Sequence, residues 1–230
     1  MELGHSASYE IVYTTLKKRI LSLELIPGSL VSEIETAKEF SVSRTPVRDA
    51  FKALVSEHLL EVKPHIGTFV TLINMNEIAD SLYIREIIEK AVINELVYSF
   101  SQSQEFKLHH ILHTQKELLH NHNLTSEVLA VDFAKSDDEF HQSLFHLAGK
   151  TSLIQYLQNI NAPYERFRSF LVQEDRATFQ VFYNQHIQLL DHIKNKEIDK
   201  LNHMISHHIY DGFNNSTDLI YKYPSYFAKL

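Results

Sequence analysis

The sequence predicts a mainly α-helical chain in two parts: a small N-terminal part that ends in a β-hairpin, and a C-terminal all-α antiparallel helical bundle. Apolar residues recur at helical spacing through most of the 230 residues, and β-type runs are confined to residues 60–71. Histidine is unevenly distributed, because three of the fifteen precede residue 73 and twelve follow it. Two regions of different chemistry indicate two domains, which we expect at residues 1–73 and 77–230.

Three helices are predicted before the hairpin. The first covers residues 9–23 and ends before Pro27-Gly28, a pair that breaks regular structure. Ser32 is the predicted N-cap of the second helix, and Glu35 three residues later completes a capping box. After a short turn, Ser43 is the predicted N-cap of the third helix. The apolar face of that helix consists of Val47, Ala50, Phe51, Leu54 and Val55.

The hairpin follows directly. Two β-type runs at residues 60–63 and 68–71 flank a glycine-containing turn at 64–67. Two short helices joined by a tight turn and followed by a hairpin form a winged helix-turn-helix, whose second helix enters the DNA major groove at its N-terminal end. The N-terminal part is therefore predicted to be a winged helix-turn-helix domain.

From Asn76 onward every periodic segment indicates a helix, and Gly149, Pro163 and Gly212 mark breaks between them. Seven helices are predicted in this part, at residues 76–99, 104–120, 126–148, 151–161, 163–174, 178–195 and 198–214.

Composition excludes several kinds of site. The chain has no cysteine, so disulfides and thiolate metal sites are excluded, which fits a reducing compartment. No secretory signal is present and no apolar run approaches the roughly 18 residues of a membrane span, so we expect a cytoplasmic protein. The net charge of −7 argues against a general polyanion binder. Eight Lys/Arg stand against nine Asp/Glu before residue 73, and fourteen against twenty after it.

The third helix has two arginines at its N-terminal end. Arg44 and Arg48 are four residues apart, hence on one face, with Thr45 in the same turn. Arginine can pair bidentately with guanine, and hydroxyl groups suit phosphates. The predicted wing tip supplies three further candidates: Lys63, His65 and the backbone at Gly67. The alternative is that the arginines belong to a merely solvated face; the helix pattern together with the wing favours DNA contact.

The helical part contains a carboxylate and several histidines with metal-ligand spacing. Asp137 and His141 are four residues apart and would present ligands from one helical face. His186 and either His207 or His208 would lie on neighbouring helices of the bundle. One carboxylate with imidazoles suits Zn²⁺, Ni²⁺, Mn²⁺ or Fe²⁺. The alternative is a set of ordinary surface or core histidines, since twelve of them produce chance pairs at this spacing.

The segment PGSLVSEIETAKEFSVSRTPVRDAFKALVSEHLLEVKPHIGTFV resembles the DNA-binding domain of GntR-type bacterial transcription regulators. In these a PG turn, an S/A-E helix, a V-S-R-x-P-V-R recognition helix and a G-x-x-V wing occur in this order. The resemblance implies contacts with DNA from Arg44, Thr45, Arg48, His65 and Gly67. One departure is Ile34, where some members have an arginine, so operator affinity would depend more on Arg44, Arg48 and Lys63.

Residues 77–210 resemble the FadR C-terminal domain (FCD), the effector-binding domain of one GntR subfamily. The matching elements include Arg85-x-x-Ile88-Glu89, Asp137-x-x-Phe140-His141, and a pair of histidines about 22 positions apart, which selects His208 over His207. The resemblance implies a divalent metal held by Asp137, His141, His186 and His208. Two departures, Gln185 for a frequent glutamate and Lys150 for a common asparagine, do not affect ligand positions.

The same resemblance implies a carboxylate effector at open positions of the metal. Arg85 is then the natural partner of the effector, because a guanidinium fork can pair with two carboxylate oxygens. The alternative for Arg85 is a salt bridge with Glu89 on its own helix. Arg166 and Arg168 are further candidates, between which the sequence does not choose.

These features predict a ligand-responsive transcription regulator that binds a pseudo-palindromic DNA operator as a homodimer, with a small carboxylate metabolite as effector. Repression and activation are both compatible with the sequence. One rival is a metal-dependent enzyme in the helical domain, although four protein ligands and no dedicated base argue against catalysis. Another rival keeps the DNA-binding role but makes the metal purely structural.

Overall fold

The computed structural model describes residues 5–171 and 176–229 and confirms the mainly α-helical fold. The described residues form eleven α-helices, three short strands and one 3₁₀ turn. The helices are α1 His5–Leu21, α2 Glu33–Glu39, α3 Arg44–Ser56, α4 Met75–Ser99, α5 Gln102–His120, α6 Ser126–Leu147, α7 Thr151–Ile160, α8 Ala162–Leu171, α9 Arg176–Lys194, α10 Ile198–Asn214 and α11 Thr217–Lys222. The strands are β1 Leu30–Val31, β2 Leu60–Lys63 and β3 Gly67–Val70, and the 3₁₀ turn is Pro224–Tyr226. The last three residues of the predicted helix 163–174 lie outside the described residues.

The chain divides into two compact units. Unit 1 comprises Met1–Asn76, Glu165–Phe170 and Leu219–Leu230, and unit 2 comprises Glu77–Tyr164 and Leu171–Asp218. The helical segment 165–170 and the segment after residue 218 therefore group with the winged part, whereas the sequence assigns both to the helical domain. The predicted domain limits remain predictions.

Unit 1 is built around helices α1, α2 and α3 and a three-stranded antiparallel sheet in the order β1-β3-β2. The strand β1 was not predicted: it has two residues and pairs with the distant β3. The core of unit 1 contains Val12, Leu16, Ile20, Val31, Ala37, Val47, Ala50, Phe51, Leu54, Leu59, Leu60 and Val70. The apolar faces of α1 and α3 thus supply most of the burial that stabilises the small sheet.

The helix starts in unit 1 are partly as predicted. The Ser32 hydroxyl accepts from the Glu35 backbone amide at 3.3 Å, as an N-cap should. Ser43 occupies the N-cap position of α3 but makes no side-chain cap hydrogen bond. Gly67 begins β3 with φ +150°, a backbone conformation that residues with a Cβ rarely adopt, so glycine is favoured at this place in the wing.

The two later segments of unit 1, residues 165–170 and the residues after 218, contact the residues that follow the wing. Ile73 forms a parallel bridge with Phe227, with backbone hydrogen bonds of 2.8 Å on both sides of Ile73. Arg166 donates to the Thr71 hydroxyl at 2.9 Å and to the Thr71 carbonyl. Phe170 packs edge-on against the rings of Tyr223 and Phe227.

Unit 2 is a bundle in which α5 packs on α6 and α9, and α9 packs on α10. A cluster of buried residues fills one part of its core: Leu119, Leu129, Ala130, Phe133 and Phe179. The helix α4 is tied to α10 by the Asn94–Asn202 hydrogen bond of 3.0 Å and by Ser206, which donates to Glu86 at 2.6 Å. These contacts bring distant parts of the chain around the histidine-rich centre.

Among the helices within residues 5–171 and 176–229, none combines the length and the apolar character that a membrane crossing requires.

Candidate DNA-binding surface and metal centre

The predicted recognition helix α3 begins at Arg44, so the two predicted base-reading arginines lie in its first two turns. The side chains of Arg44 and Arg48 are each 56% exposed. One oxygen of Glu33 lies 3.5 Å from Arg44 Nη2 and 3.6 Å from Arg48 Nε. Both guanidinium groups thus meet at one carboxylate, on a single face of α3. Exposed ion pairs of this length contribute about 0–1 kcal/mol, so DNA could replace Glu33 as partner at little cost.

The other predicted contacts surround this face or lie on the wing. Thr45 is exposed beside the arginines. His65 is exposed in the wing turn with φ +62°, and Gly67 follows it. Lys63 lies in β2 rather than at the tip of the turn, with Nζ 2.8 Å from Glu61 and 4.8 Å from the ring centre of Phe69. These positions are compatible with DNA contact, which remains a prediction for each residue.

In unit 2 the four predicted metal ligands come together. Asp137 and His141 project from α6, His186 from α9 and His208 from α10, and their candidate ligand atoms all lie within 4.8 Å of one another. His141 Nε2 is 2.9 Å from His208 Nε2, and His186 Nε2 is 3.3 Å from both His208 Nε2 and Asp137 Oδ1. The three imidazoles are buried. We call these four residues the four-ligand cluster.

Each histidine of the cluster uses its other ring nitrogen to donate to an oxygen. The Nδ1 of His141 donates to Glu89 at 2.8 Å. The Nδ1 of His186 donates to Gln115 Oε1 at 2.9 Å, and that of His208 to Gln185 Oε1 at 2.7 Å.

The orientation of both amides follows from their other partners. Gln115 Nε2 donates to the Ser136 carbonyl at 3.2 Å, and Gln185 Nε2 donates to Asp211 at 2.9 Å. Oxygen is therefore the atom that each amide presents to its histidine. Because each Nδ1 donates to an oxygen, the three Nε2 atoms are the ring atoms that face one another.

A divalent cation fits this arrangement. Three Nε2 atoms and a carboxylate oxygen, each 2.9–3.3 Å from a neighbour, offer four ligand atoms to one cation placed among them. Burial lowers the pKa of His186, against the opposing influence of Asp137, and burial together with the neighbouring histidines lowers the pKa of His208 well below its ordinary value. Both rings are thus neutral near pH 7, as metal ligation requires. A second layer of hydrogen bonds on the distal nitrogens is typical of metal-ligating histidines.

The sequence did not indicate two members of this second layer. Gln115 is fully buried on α5 in a stripe that otherwise consists of Leu108, Ile111, Leu112 and Leu119. A glutamine in such a stripe was the available signal, since a buried amide needs partners. Gln185 was noted only as a departure from a family pattern. His207, the rejected alternative, is exposed, with Nδ1 3.4 Å from Gln185 Nε2.

Arg85 lies beside the cluster, bound to Glu89. Its Nε donates to Glu89 Oε1 at 2.5 Å, and its guanidinium lies 5.5 Å from the ring centre of Tyr164. Burial raises the pKa of Glu89, but Arg85 and then His141 outweigh it and hold that pKa well below the usual range. The salt bridge considered from the sequence is therefore present, and contact of Arg85 with an effector remains a prediction. Arg166 is used in unit 1, where it binds Thr71.

Comparisons with known proteins agree with both regions. Residues 8–70 match the bacterial regulatory proteins of the gntR family, and residues 80–211 match the FCD domain. The chain is 30% identical over 176 residues to the gluconate operon transcriptional repressor of Bacillus subtilis, covering 76% of this chain and 68% of the relative. It is 27% identical over 198 residues to the HTH-type transcriptional repressor RspR of Escherichia coli, covering 86% and 84%.

Among solved structures, E. coli McbR/YncC superposes with a TM-score of 0.67 at 18% identity, covering 94% of this chain and 98% of that one. A putative GntR regulator from Rhodococcus sp. RHA1 superposes with a TM-score of 0.63 at 18% identity, covering 88% of this chain and 94% of that one. Both structures support the fold. The chain belongs to the GntR family of bacterial transcription regulators, with a winged helix-turn-helix domain joined to an FCD domain.

Proposed function

We propose that this regulator responds to a small carboxylate metabolite through a divalent metal held by Asp137, His141, His186 and His208. The observation that carries the proposal is the convergence of three imidazole nitrogens and one carboxylate oxygen within 4.8 Å, inside a chain of this family. When bound, a divalent cation (Zn²⁺, Ni²⁺, Mn²⁺ or Fe²⁺) would supply positive charge and open coordination positions for a carboxylate. The chain itself orients the ligands through Glu89, Gln115 and Gln185.

The effector class follows from charge and from the relatives. A cation with Asp137 keeps a net positive charge, and the Arg85–Glu89 pair beside it adds none. An anionic ligand would neutralise that excess in a buried site. One relative represses the gluconate operon, and gluconate is a hydroxy acid, which supports a small carboxylate as the effector class.

The DNA partner would be a two-fold symmetric operator in the bacterial cytoplasm. Each chain offers a single recognition helix with Arg44, Thr45 and Arg48 at its start. A homodimer would present two such helices to two half-sites about one helical turn apart. Effector binding would alter operator affinity through the segment that leaves the wing, Thr71 to Asn76, by favouring one of two conformations.

The test compares two adjacent histidines of α10. His208→Ala should lose the metal of the purified protein, measured as metal per chain by elemental analysis, together with any effect of candidate acids on operator affinity. His207→Ala is the matched control and should retain both, because His207 is exposed and outside the cluster. Equal operator affinity with every acid tested, and after metal removal, would contradict effector sensing.

A purely structural metal is the second candidate, favoured because the ligands tie together α6, α9 and α10 and the histidines are buried. It predicts that His186→Ala lowers the free energy of unfolding while metal removal leaves operator binding by the folded protein unchanged. The enzymatic alternative predicts turnover of a carboxylate substrate; family and relatives are regulators, and we propose that no turnover occurs.

A further inference from the structure

An exposed isoleucine directly follows Glu33, the residue that contacts Arg44 and Arg48. Ile34 is the second residue of α2 and is 63% exposed. The core side of this helix is formed by Thr36 and Ala37, which are 5% and 7% exposed, so Ile34 does not contribute to the core of unit 1. Its apolar side chain therefore lies in water in the free protein.

The residue before Ile34 contacts the two arginines of α3. Glu33 contacts both Arg44 and Arg48, so the first turn of α2 lies against the first two turns of α3. Ile34 is the next residue along the helix, rotated by about 100° from Glu33. Lys38, one turn further on, is also exposed and follows Ile34 on that side of α2. An exposed apolar group thus lies one residue after the carboxylate that joins the two arginines and one turn before Lys38.

The chemistry of the major groove gives such a group one partner. Among the edges of the four base pairs there, the C5-methyl of thymine is the single apolar group, and aliphatic side chains pack against it. Isoleucine offers no hydrogen bond, so it cannot recognise the polar edges of guanine, adenine or cytosine. A methyl contact would also remove the exposed side chain from water.

We propose that Ile34 is a specificity-determining residue that contacts a thymine methyl group next to the bases read by Arg44 and Arg48. This inference depends on the proposed DNA-reading role of those two arginines. The operator should then contain in each half-site a thymine whose methyl group contributes to affinity only when Ile34 is present. Ile34, which offers no hydrogen bond, would in this way add base discrimination to a DNA-reading surface that has few polar side chains.

The experiment uses the full-length protein and an operator selected from random DNA duplexes with it. Each thymine of the operator is replaced singly by uracil, which removes only the C5-methyl, and Kd is measured by fluorescence anisotropy at constant salt. At one position per half-site the wild type should bind about fourfold more weakly, the effect of one buried methyl group. Ile34→Ala should show no difference between thymine and uracil at that position.

A second substitution tests the methyl group on another base. Replacing the thymine–adenine pair by 5-methylcytosine–guanine keeps a C5-methyl, whereas cytosine–guanine lacks it. The wild type should prefer 5-methylcytosine to cytosine by a similar factor, and Ile34→Ala should not. Ile66→Ala is the control, because Ile66 is also exposed, at 71%, but lies in the wing turn; it should retain the thymine preference.

Two results would overturn the inference: no thymine at which uracil weakens binding, or a methyl effect that persists in Ile34→Ala. Thermal unfolding of Ile34→Ala should match the wild type, since the side chain is exposed, so loss of fold does not explain a lost preference. Arg44→Ala and Arg48→Ala separate this inference from its premise. If both bind the operator like wild type, the proposed reading surface is wrong; if they bind weakly while Ile34→Ala behaves like wild type, only the role of Ile34 is wrong.

Discussion

The protein uses arginine beside glutamate in two opposite ways. At the start of α3, Arg44 and Arg48 share Glu33 at 3.5 and 3.6 Å in exposed positions. Beside the four-ligand cluster, Arg85 binds Glu89 at 2.5 Å, with side chains only 11% and 2% exposed. Water screens the first group and leaves its arginines ready to exchange partners, whereas the second is held by a Coulomb attraction that burial leaves largely unscreened. We propose that the same residue pair serves DNA recognition where it is exposed and rigid positioning where it is buried.

The largest expected effect is on DNA affinity, from the exposed pair. Replacing both Arg44 and Arg48 by alanine should remove about 2 kcal/mol or more per half-site, so that a dimer loses roughly 1,000-fold or more in operator affinity. The free energy of unfolding should stay within about 0.5 kcal/mol of wild type, since both side chains are exposed. Anisotropy titrations and urea unfolding measure the two quantities. Lys52→Ala, a basic residue of α3 paired with Asp49, is the control and should bind DNA nearly normally.

For the buried pair, Arg85 and Glu89, the expected effect is on the free energy of unfolding. Glu89→Gln leaves Arg85 without its counter-charge in a buried site, and we expect a loss of about 3 kcal/mol in the free energy of unfolding. Urea unfolding of the metal-free protein is the measurement. Glu95→Gln on the same helix is the matched control, because Glu95 is 60% exposed and pairs with Lys150, and its loss should not exceed about 1 kcal/mol. Equal losses for the two variants would refute the contrast between buried and exposed pairs.

Acid should weaken the buried region of the metal-free protein. The folded-state pKa values of His186 and His208 are lowered, His186 by burial and His208 by burial and neighbouring histidines. The unfolded chain therefore takes up protons first, and stability present above about pH 6.5 is lost as the pH falls through the folded pKa values. At pH 5 the loss should reach at most about 2 kcal/mol per histidine.

The pH dependence can be assigned to single residues by chemical denaturation of two variants of α10 at pH 7.5 and pH 5. His208→Ala should show a smaller loss of stability on acidification than wild type. His207→Ala should follow wild type, because its side chain is exposed. An unchanged pH dependence in His208→Ala would show that this histidine does not titrate as its burial requires.

The smallest expected effect comes from the carboxylate between the two exposed arginines. Glu33→Gln removes a negative charge that competes with phosphates for Arg44 and Arg48. Affinity for random-sequence DNA should rise about two- to threefold, and stability should change by less than about 0.5 kcal/mol. A reduced affinity for random DNA would instead show that Glu33 is needed to position the arginines.

Much of the fold was predictable because it depends on local patterns. The periodic apolar face of α3, the Ser32 cap and the glycine of the wing are set by residues close together in the chain. The strand β1 was missed because its two residues are defined by pairing with β3, some 37 residues later. Likewise, the bridge between Ile73 and Phe227 depends on a contact across most of the chain, which no local pattern indicates.

The candidate metal centre was likewise predictable from the sequence only in part. The sequence by itself determined the residue types, the shared helical face of Asp137 and His141, and the absence of thiolates. Only the tertiary structure decided that His186 and His208 converge on that face, that Gln115 and Gln185 orient them, and that Arg85 is occupied by Glu89. The physical reason is distance: hydrogen bonds along one helix follow from spacing, whereas contacts between α4, α5, α6, α9 and α10 exist only after those helices have packed.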